Sequence, residues 1–272
     1  MAENFFYRLD PLLICLVLLG LMFAAGEASF LAMKRPRPGS EKVENADVAL
    51  ILGAVLTLLA LMLGFTYAMS QGRFETRRQL VIDEANAIGT TYLRAQTLPE
   101  PRSSEIQDLL RQYAALRVEI AVVKDPSPER IREFDARSKK LHDAMWSRAA
   151  ALARESPSPI TSIFLETLND TIDLHAKRLA AFKSHVPVSI YLVLIGISVA
   201  AVGLIGYYSG TRQRRIWNLS VIFGLLVAAV MWLILDLDNP VRGSIKASQQ
   251  SLIDLQRDLG PPSRDALKLL DR

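Results

Sequence analysis

The sequence predicts an all-α membrane protein: four transmembrane helices in two hairpins, with a helical extramembrane domain inserted between spans two and three. Three observations predict it. Residues 12–26, 48–69, 186–211 and 216–235 contain no Asp, Glu, Lys or Arg, and a hydrocarbon core of about 30 Å needs roughly 20 apolar residues in a helix. Between the two pairs, the segment from Arg73 to Lys183 is densely charged yet keeps its apolar residues at helical spacing. No strand-like alternation competes with that beat.

The first hairpin is expected over residues 11–70, with spans at 11–33 and 47–70. Leu12–Phe23 followed by Gly26-Glu27-Ala28 imitates a secretory signal and its cleavage site. Arg8 is balanced by Glu3 and Asp10, however, and apolar residues resume through Phe30 to Met33, so a retained span is predicted. Lys34-Arg35-Pro36-Arg37-Pro38-Gly39-Ser40 forms a basic turn, and Asp47 is placed to cap the second span. Nothing but isolated glycines (53, 64, 72 and 89) interrupts the helical pattern from Asp47 to Leu98. Span two should therefore run on as one helix, about 75 Å long at 1.5 Å per residue, and would join the two domains.

The extramembrane domain is expected over 71–184. Phe74, Val81, Ala85, Ile88, Tyr92 and Ala95 share one helix face, as do Ile106, Leu109, Tyr113, Leu116, Ile120 and Val123. Ile131, Phe134, Leu141 and Met145 continue the pattern, followed by Leu168, Ile172, His175, Leu179 and Phe182. Breaks fall at Pro99–Pro101, at 125–128 and at 156–159, where Ser127 and Ser158 each precede a proline in the manner of an N-cap followed by N1. Four amphipathic helices result. The second hairpin occupies 185–236, with spans at 186–210 and 216–235 joined by the tight turn Thr211–Arg215, and residues 237–272 form a C-terminal segment expected to pack on the extramembrane domain.

Composition excludes several function classes. A net charge of +4 is small, and in a membrane protein part of it serves orientation and lipid headgroups; no nucleic-acid signature accompanies it. Cys15 is the single cysteine, so no intramolecular disulfide is possible. His142, His175 and His185 are far apart in the chain without metal-ligand spacing, and His175, on an apolar helix face, reads as a packing residue. Asp83-Glu84 and the Asp170/Asp173 pair read as solvated helix surface. No phosphate loop, nucleophile motif or HExxH pattern is present. No catalytic residue, metal or cofactor is expected, and the protein is not read as an enzyme.

Two features carry functional information. Glu27 lies inside the end of span one, where a carboxylate must find a partner, reach the interface or be protonated. Pairing with Lys34, Arg212, Arg214 or Arg215 is the favoured reading, and an ion-path role the alternative. On span two, Thr57, Leu61 and Phe65 fall at i, i+4 and i+8 on one stripe, ahead of an exit rich in small and hydroxyl residues and the basic cluster Arg73, Arg77 and Arg78. In a symmetric oligomer the stripe would stack as apolar rings that gate by dewetting. Periodicity alone favours ordinary helix packing for it. Leu58 and Met62, rotated by about 100°, are expected to serve packing.

The run Leu63-Gly64-Phe65, the pair Arg73-Phe74 eight residues beyond, and the stretch from Arg77 to Arg94 (RRQLVIDEANAIGTTYLR) belong together. So do Asp238-Asn239-Pro240 and Gly243 after span four. In these the chain resembles the bestrophin channels, and along nearly its whole length it is similar to the bacterial bestrophin-like domain proteins. Bestrophins are homopentamers whose second transmembrane helix lines an anion pore with an apolar neck. The resemblance thus implies Thr57, Leu61 and Phe65 as neck positions, with Thr57 departing from the large apolar residue expected. It also implies small inorganic ions as the cargo and an Asn-Pro…Gly turn at Asp238, Asn239, Pro240 and Gly243. The acidic calcium clasp of animal bestrophins should follow that turn, but Val241-Arg242-Gly243-Ser244-Ile245-Lys246 stands there, so calcium gating is not implied.

The expected function is an oligomeric, anion-conducting channel in the bilayer of a bacterial inner membrane, with a pentamer favoured. A membrane sensor or scaffold is the runner-up, and a secondary transporter is disfavoured because its Pro/Gly-broken helices are lacking. Orientation signals conflict: the short turns are basic, which favours an external domain. Arg73, Arg77, Arg78, Lys177, Arg178, Lys183, Arg242 and Lys246 crowd the opposite side, and with the bestrophin precedent they point to a cytoplasmic domain and termini.

Overall fold

A computed structural model describes residues 9–34, 45–123, 127–212, 217–241 and 243–261. Among them are eight helices and no strand: α1 (Pro11–Lys34), α2 (Asn45–Ala95), α3 (Arg102–Val122), α4 (Pro128–Glu155), α5 (Pro159–Lys183), α6 (Val188–Thr211), α7 (Trp217–Asp238) and α8 (Gln250–Leu259). Four stretches are long and apolar enough to cross a membrane: Pro11–Met33, Ala46–Ala95, Pro159–Thr211 and Asn218–Asp238. The charge-free part of the third is α6, which a break at 184–187 separates from α5. α2 is a single helix of 51 residues, as its uninterrupted pattern predicts. It begins two residues before Asp47, so that carboxylate lies in the first turn, where it complements the positive helix end, rather than at the N-cap.

The chain divides into two compact units, one formed by residues up to Arg73 with His185–Ile245, the other by Phe74–Ser184 with the residues from Lys246 onward. In the membrane unit, Leu18 and Met22 of α1, Leu59 and Leu63 of α2, Tyr191, Leu194 and Ala201 of α6, and Met231 and Ile234 of α7 form one buried core. Lipid tails are as apolar as these side chains, so helix association in the bilayer depends on close packing rather than on water exclusion. The tightest crossing is between α1 and α6. A Cβ at Gly206 would lie 2.0 Å from the Gly26 carbonyl oxygen, and one at Gly210 would lie 2.9 Å from that of Phe30. Only glycine permits those approaches.

On α2 the inward face carries Leu59, Leu63, Thr66 and Ser70, all buried. Leu58 is 48% exposed, which corrects its expected packing role: the inward stripe lies one residue further along the helix.

The extramembrane unit buries Val81, Ala85, Ile88 and Tyr92 of α2 against Leu109, Leu110 and Tyr113 of α3, Leu141 and Met145 of α4, and Phe164 and Leu168 of α5. Its helices start where the sequence says they should. Ser127 accepts the Arg130 N–H at the head of α4, and Ser158 forms a reciprocal capping box with Thr161 at the head of α5. α8 completes the unit by burying Leu252 in the same core, and the Arg111 Nε donates to its terminal Leu259 carbonyl at 2.9 Å.

Candidate functional site

The α2 stripe is exposed on the protomer. Leu61 is 53% and Phe65 62% exposed, whereas Leu59, on the inward face, is 2% exposed. Thr57 is also exposed, and its hydroxyl donates to the Gly53 carbonyl at 2.8 Å, so its donor is satisfied within the helix. The stripe is not spent on the protomer's own packing. Along the exit, Arg78 forms two hydrogen bonds from Nε to the Glu75 carboxylate at 3.1 and 3.2 Å and a third from its terminal nitrogen at 3.0 Å. Arg77 is buried and Arg73 half-buried, so the three arginines differ in how openly they present charge.

Glu27 is half-buried on α1, one residue past the Gly26 crossing. Of its expected partners, Arg214, Arg215 and the side chain of Lys34 lie outside the described residues, as do Arg35, Arg37, Lys42 and Arg242. The Arg212 guanidinium stacks 4.7 Å over the Tyr208 ring.

The turn after α7 is built by two buried carboxylates. Both Asp238 oxygens accept the Val186 N–H at 3.1 Å, and one accepts the Tyr191 hydroxyl at 3.3 Å. The His185 Nδ1–H donates to the Asp238 carbonyl at 3.2 Å. This places negative charge at the positive start of α6. Asp236 accepts the Ser244 N–H at 2.7 Å, the Ile245 N–H at 2.9 Å and the Ser244 hydroxyl at 3.0 Å. Asn239 accepts the Val241 N–H on its side chain at 3.1 Å, and Gly243 closes the loop by donating to the Asn239 carbonyl at 3.2 Å. A Cβ at Gly243 would lie 2.3 Å from the Asp236 carbonyl oxygen. The expected turn residues Asp238, Asn239, Pro240 and Gly243 are therefore together, and the carboxylates bind the chain's own N–H and O–H groups.

Two readings from sequence are corrected in the extramembrane unit. Glu84 is fully buried, not on solvated surface. It accepts the Tyr113 hydroxyl at 2.6 Å, pairs with Arg117 at 3.1 Å and binds Arg178. Burial alone would raise its pKa, but Arg117, Arg178 and the Tyr113 hydroxyl together hold it below the usual carboxylate range. Burial, and then the Glu84 charge, push Tyr113 well above the usual phenol value. The histidines are not all apart either: His142 and His175 meet with ring centroids 5.1 Å apart, and His142 lies edge-on to Tyr113 at 4.7 Å. A usable signal was present, because Glu84 sits on the Val81–Ile88 stripe and Ser138 and His142 are one turn apart on the inward face of α4. Among the described residues no group of three or more His, Cys, Asp or Glu side chains is arranged to hold a metal ion.

The profile of the bestrophin-like domain matches residues 20–252. Among solved structures, point variants of a bacterial bestrophin homolog from Klebsiella pneumoniae share the fold. One is 16% identical with a TM-score of 0.63, covering 94% of this chain and 98% of that one. A second is 17% identical with a TM-score of 0.64, covering 92% and 97%. A third reaches 0.64 at 16% identity, covering 97% and 100%. Nothing among curated proteins matches. Four apolar helices, a family profile spanning most of the chain and the shared fold mark a membrane protein of the bestrophin fold. On that profile the chain belongs to the bestrophin-like domain family of membrane proteins.

Proposed function

We propose that the protein is an oligomeric ion channel, a homopentamer that conducts anions through a pore lined by α2. The exposed stripe on α2 carries this reading. Thr57, Leu61 and Phe65 face away from the protomer's own core, so five copies would stack three rings about an axis. The Leu61 and Phe65 rings would form an apolar constriction that gates by dewetting, with the smaller Thr57 ring at one end. Arg73, Arg77 and Arg78, repeated in every subunit, would attract anions toward this neck by their summed field. Glu27 is read as a structural charge held by the basic turns.

Reconstitution in planar bilayers tests the pore. The Leu61→Ala/Phe65→Ala double variant should conduct several-fold more than wild type, because smaller rings hydrate more readily. Projection images of the purified oligomer should show a five-fold axis. If neither protein passes current in a bilayer that supports a known channel, the scaffold reading replaces this one.

The same reading places the extramembrane unit and the termini on the cytoplasmic side of a bacterial inner membrane. Arg132 is 74% exposed on α4 and the native Cys15 is buried, so Arg132→Cys supplies an accessible thiol. A membrane-impermeant maleimide should leave that variant unmodified in intact cells and label it after permeabilisation. Labelling in intact cells would reverse the orientation.

A further inference from the structure

The buried interior of the extramembrane unit contains hydrogen-bonding atoms that none of the described residues satisfies. His142 Nε2, His175 Nδ1, Ser138 Oγ and both side-chain polar atoms of Gln112 are buried and make no hydrogen bond to any of the described residues. Buried polar groups are ordinarily paired, and each unmet one costs free energy. The closed packing of α3, α4 and α5 is therefore held against a local tendency to hydrate. The other His175 ring nitrogen, Nε2, is hydrogen-bonded to Asp135 at 3.3 Å. Its Nδ1 can accept a proton without breaking a bond.

We propose that the His142–His175 pair is a proton-binding site of the extramembrane unit: below neutral pH it takes up protons, and the charged site draws in water and parts α4 from α5. The facing charges are Glu84 from α2, Arg117 and the Tyr113 hydroxyl from α3, Asp135 with its partner Lys139 from α4, and Arg178 from α5. Glu84 is already engaged by two arginines, and Asp135 divides its carboxylate between His175 and Lys139, so together they offset imidazolium charge only in part. Two imidazoliums with centroids 5.1 Å apart would also repel each other. Burial, reinforced by His175, lowers His142 to about 4, and burial with Arg117 lowers His175. The closed form thus binds fewer protons than a hydrated form whose histidines titrate near the ordinary 6.5. As pH falls from that value toward 4, the open form gains population.

Amide hydrogen exchange of the full-length protein in detergent tests this without reference to conduction. After correction for intrinsic rates, exchange across α4 and α5 should be roughly thirtyfold faster at about pH 5 than at about pH 7.5 if His142 alone supplies the linkage. The His142→Gln/His175→Gln variant should lose that pH dependence. Equal corrected exchange at the two pH values in wild type would overturn the proposal, whatever the variant does. The same acceleration persisting in a folded double variant would also overturn it.

Discussion

Glu84→Gln is expected to produce the largest loss of stability of any conservative substitution in the extramembrane unit. The Glu84 carboxylate is 0% exposed and pairs with Arg117 and Arg178. Removing its charge leaves a buried guanidinium, Arg117, and a half-buried one, Arg178, without their carboxylate. Breaking a buried ion pair from one side costs roughly 3–5 kcal/mol, which for a unit of this size corresponds to a fall in Tm on the order of 10 °C. Tyr113→Phe removes only one hydrogen bond to the same carboxylate and should cost about 1–2 kcal/mol. A double variant, Glu84→Gln with Arg178→Gln, should recover part of the loss, because one unpaired cation is removed with it. Thermal unfolding of the detergent-solubilised chain at neutral pH checks the order. A Glu84→Gln melt no lower than that of Tyr113→Phe would show that the pairings contribute little. Acid should mimic the substitution. The folded-state pKa of Glu84 is depressed, so its contribution is complete above the ordinary carboxylate value and is lost as pH falls through the depressed one.

The membrane helices were legible because lipid excludes charge, which leaves an unmistakable gap in the sequence at each span. The amphipathic helices were legible because each buries one stripe, and Ser127 and Ser158 mark two helix starts with side chains that serve as caps. Position on a helix could also be read, as Glu84, Ser138 and His142 show. What could not be read is which helices adjoin. His142 and His175 touch because α4 and α5 are neighbours, and no local pattern carries that information. Leu58 was misplaced for a related reason. All around span two the residues are apolar, so periodicity cannot say which stripe faces the protomer, and only the packing of Leu59 and Leu63 into the core decides it. For Gly206 and Gly210 the small-residue spacing stood in the sequence, but their partners Gly26 and Phe30 on α1 did not.

Those glycines give the second large expected effect. A methyl group at Gly206 would lie 2.0 Å from the Gly26 carbonyl oxygen and 2.8 Å from its carbonyl carbon. The obstacle is backbone, which cannot rotate aside as a side chain can. Gly206→Ala must therefore push α1 and α6 apart along their contact, at a cost of about 2–3 kcal/mol, and Gly206→Leu should abolish recovery of folded protein. Two nearby glycines supply the controls. At Gly203 the new methyl would meet the Ser29 hydroxyl oxygen at 3.6 Å, ordinary contact, so Gly203→Ala should leave the melt nearly unchanged. At Gly196 nothing lies within 4 Å, and alanine should stabilise the helix by about 0.5–1 kcal/mol. The expected order of thermal stability in one detergent is Gly196→Ala above wild type, Gly203→Ala near it and Gly206→Ala well below. If the Gly206 and Gly196 variants melt together, α1 and α6 do not approach as closely as the Gly26–Gly206 contact requires.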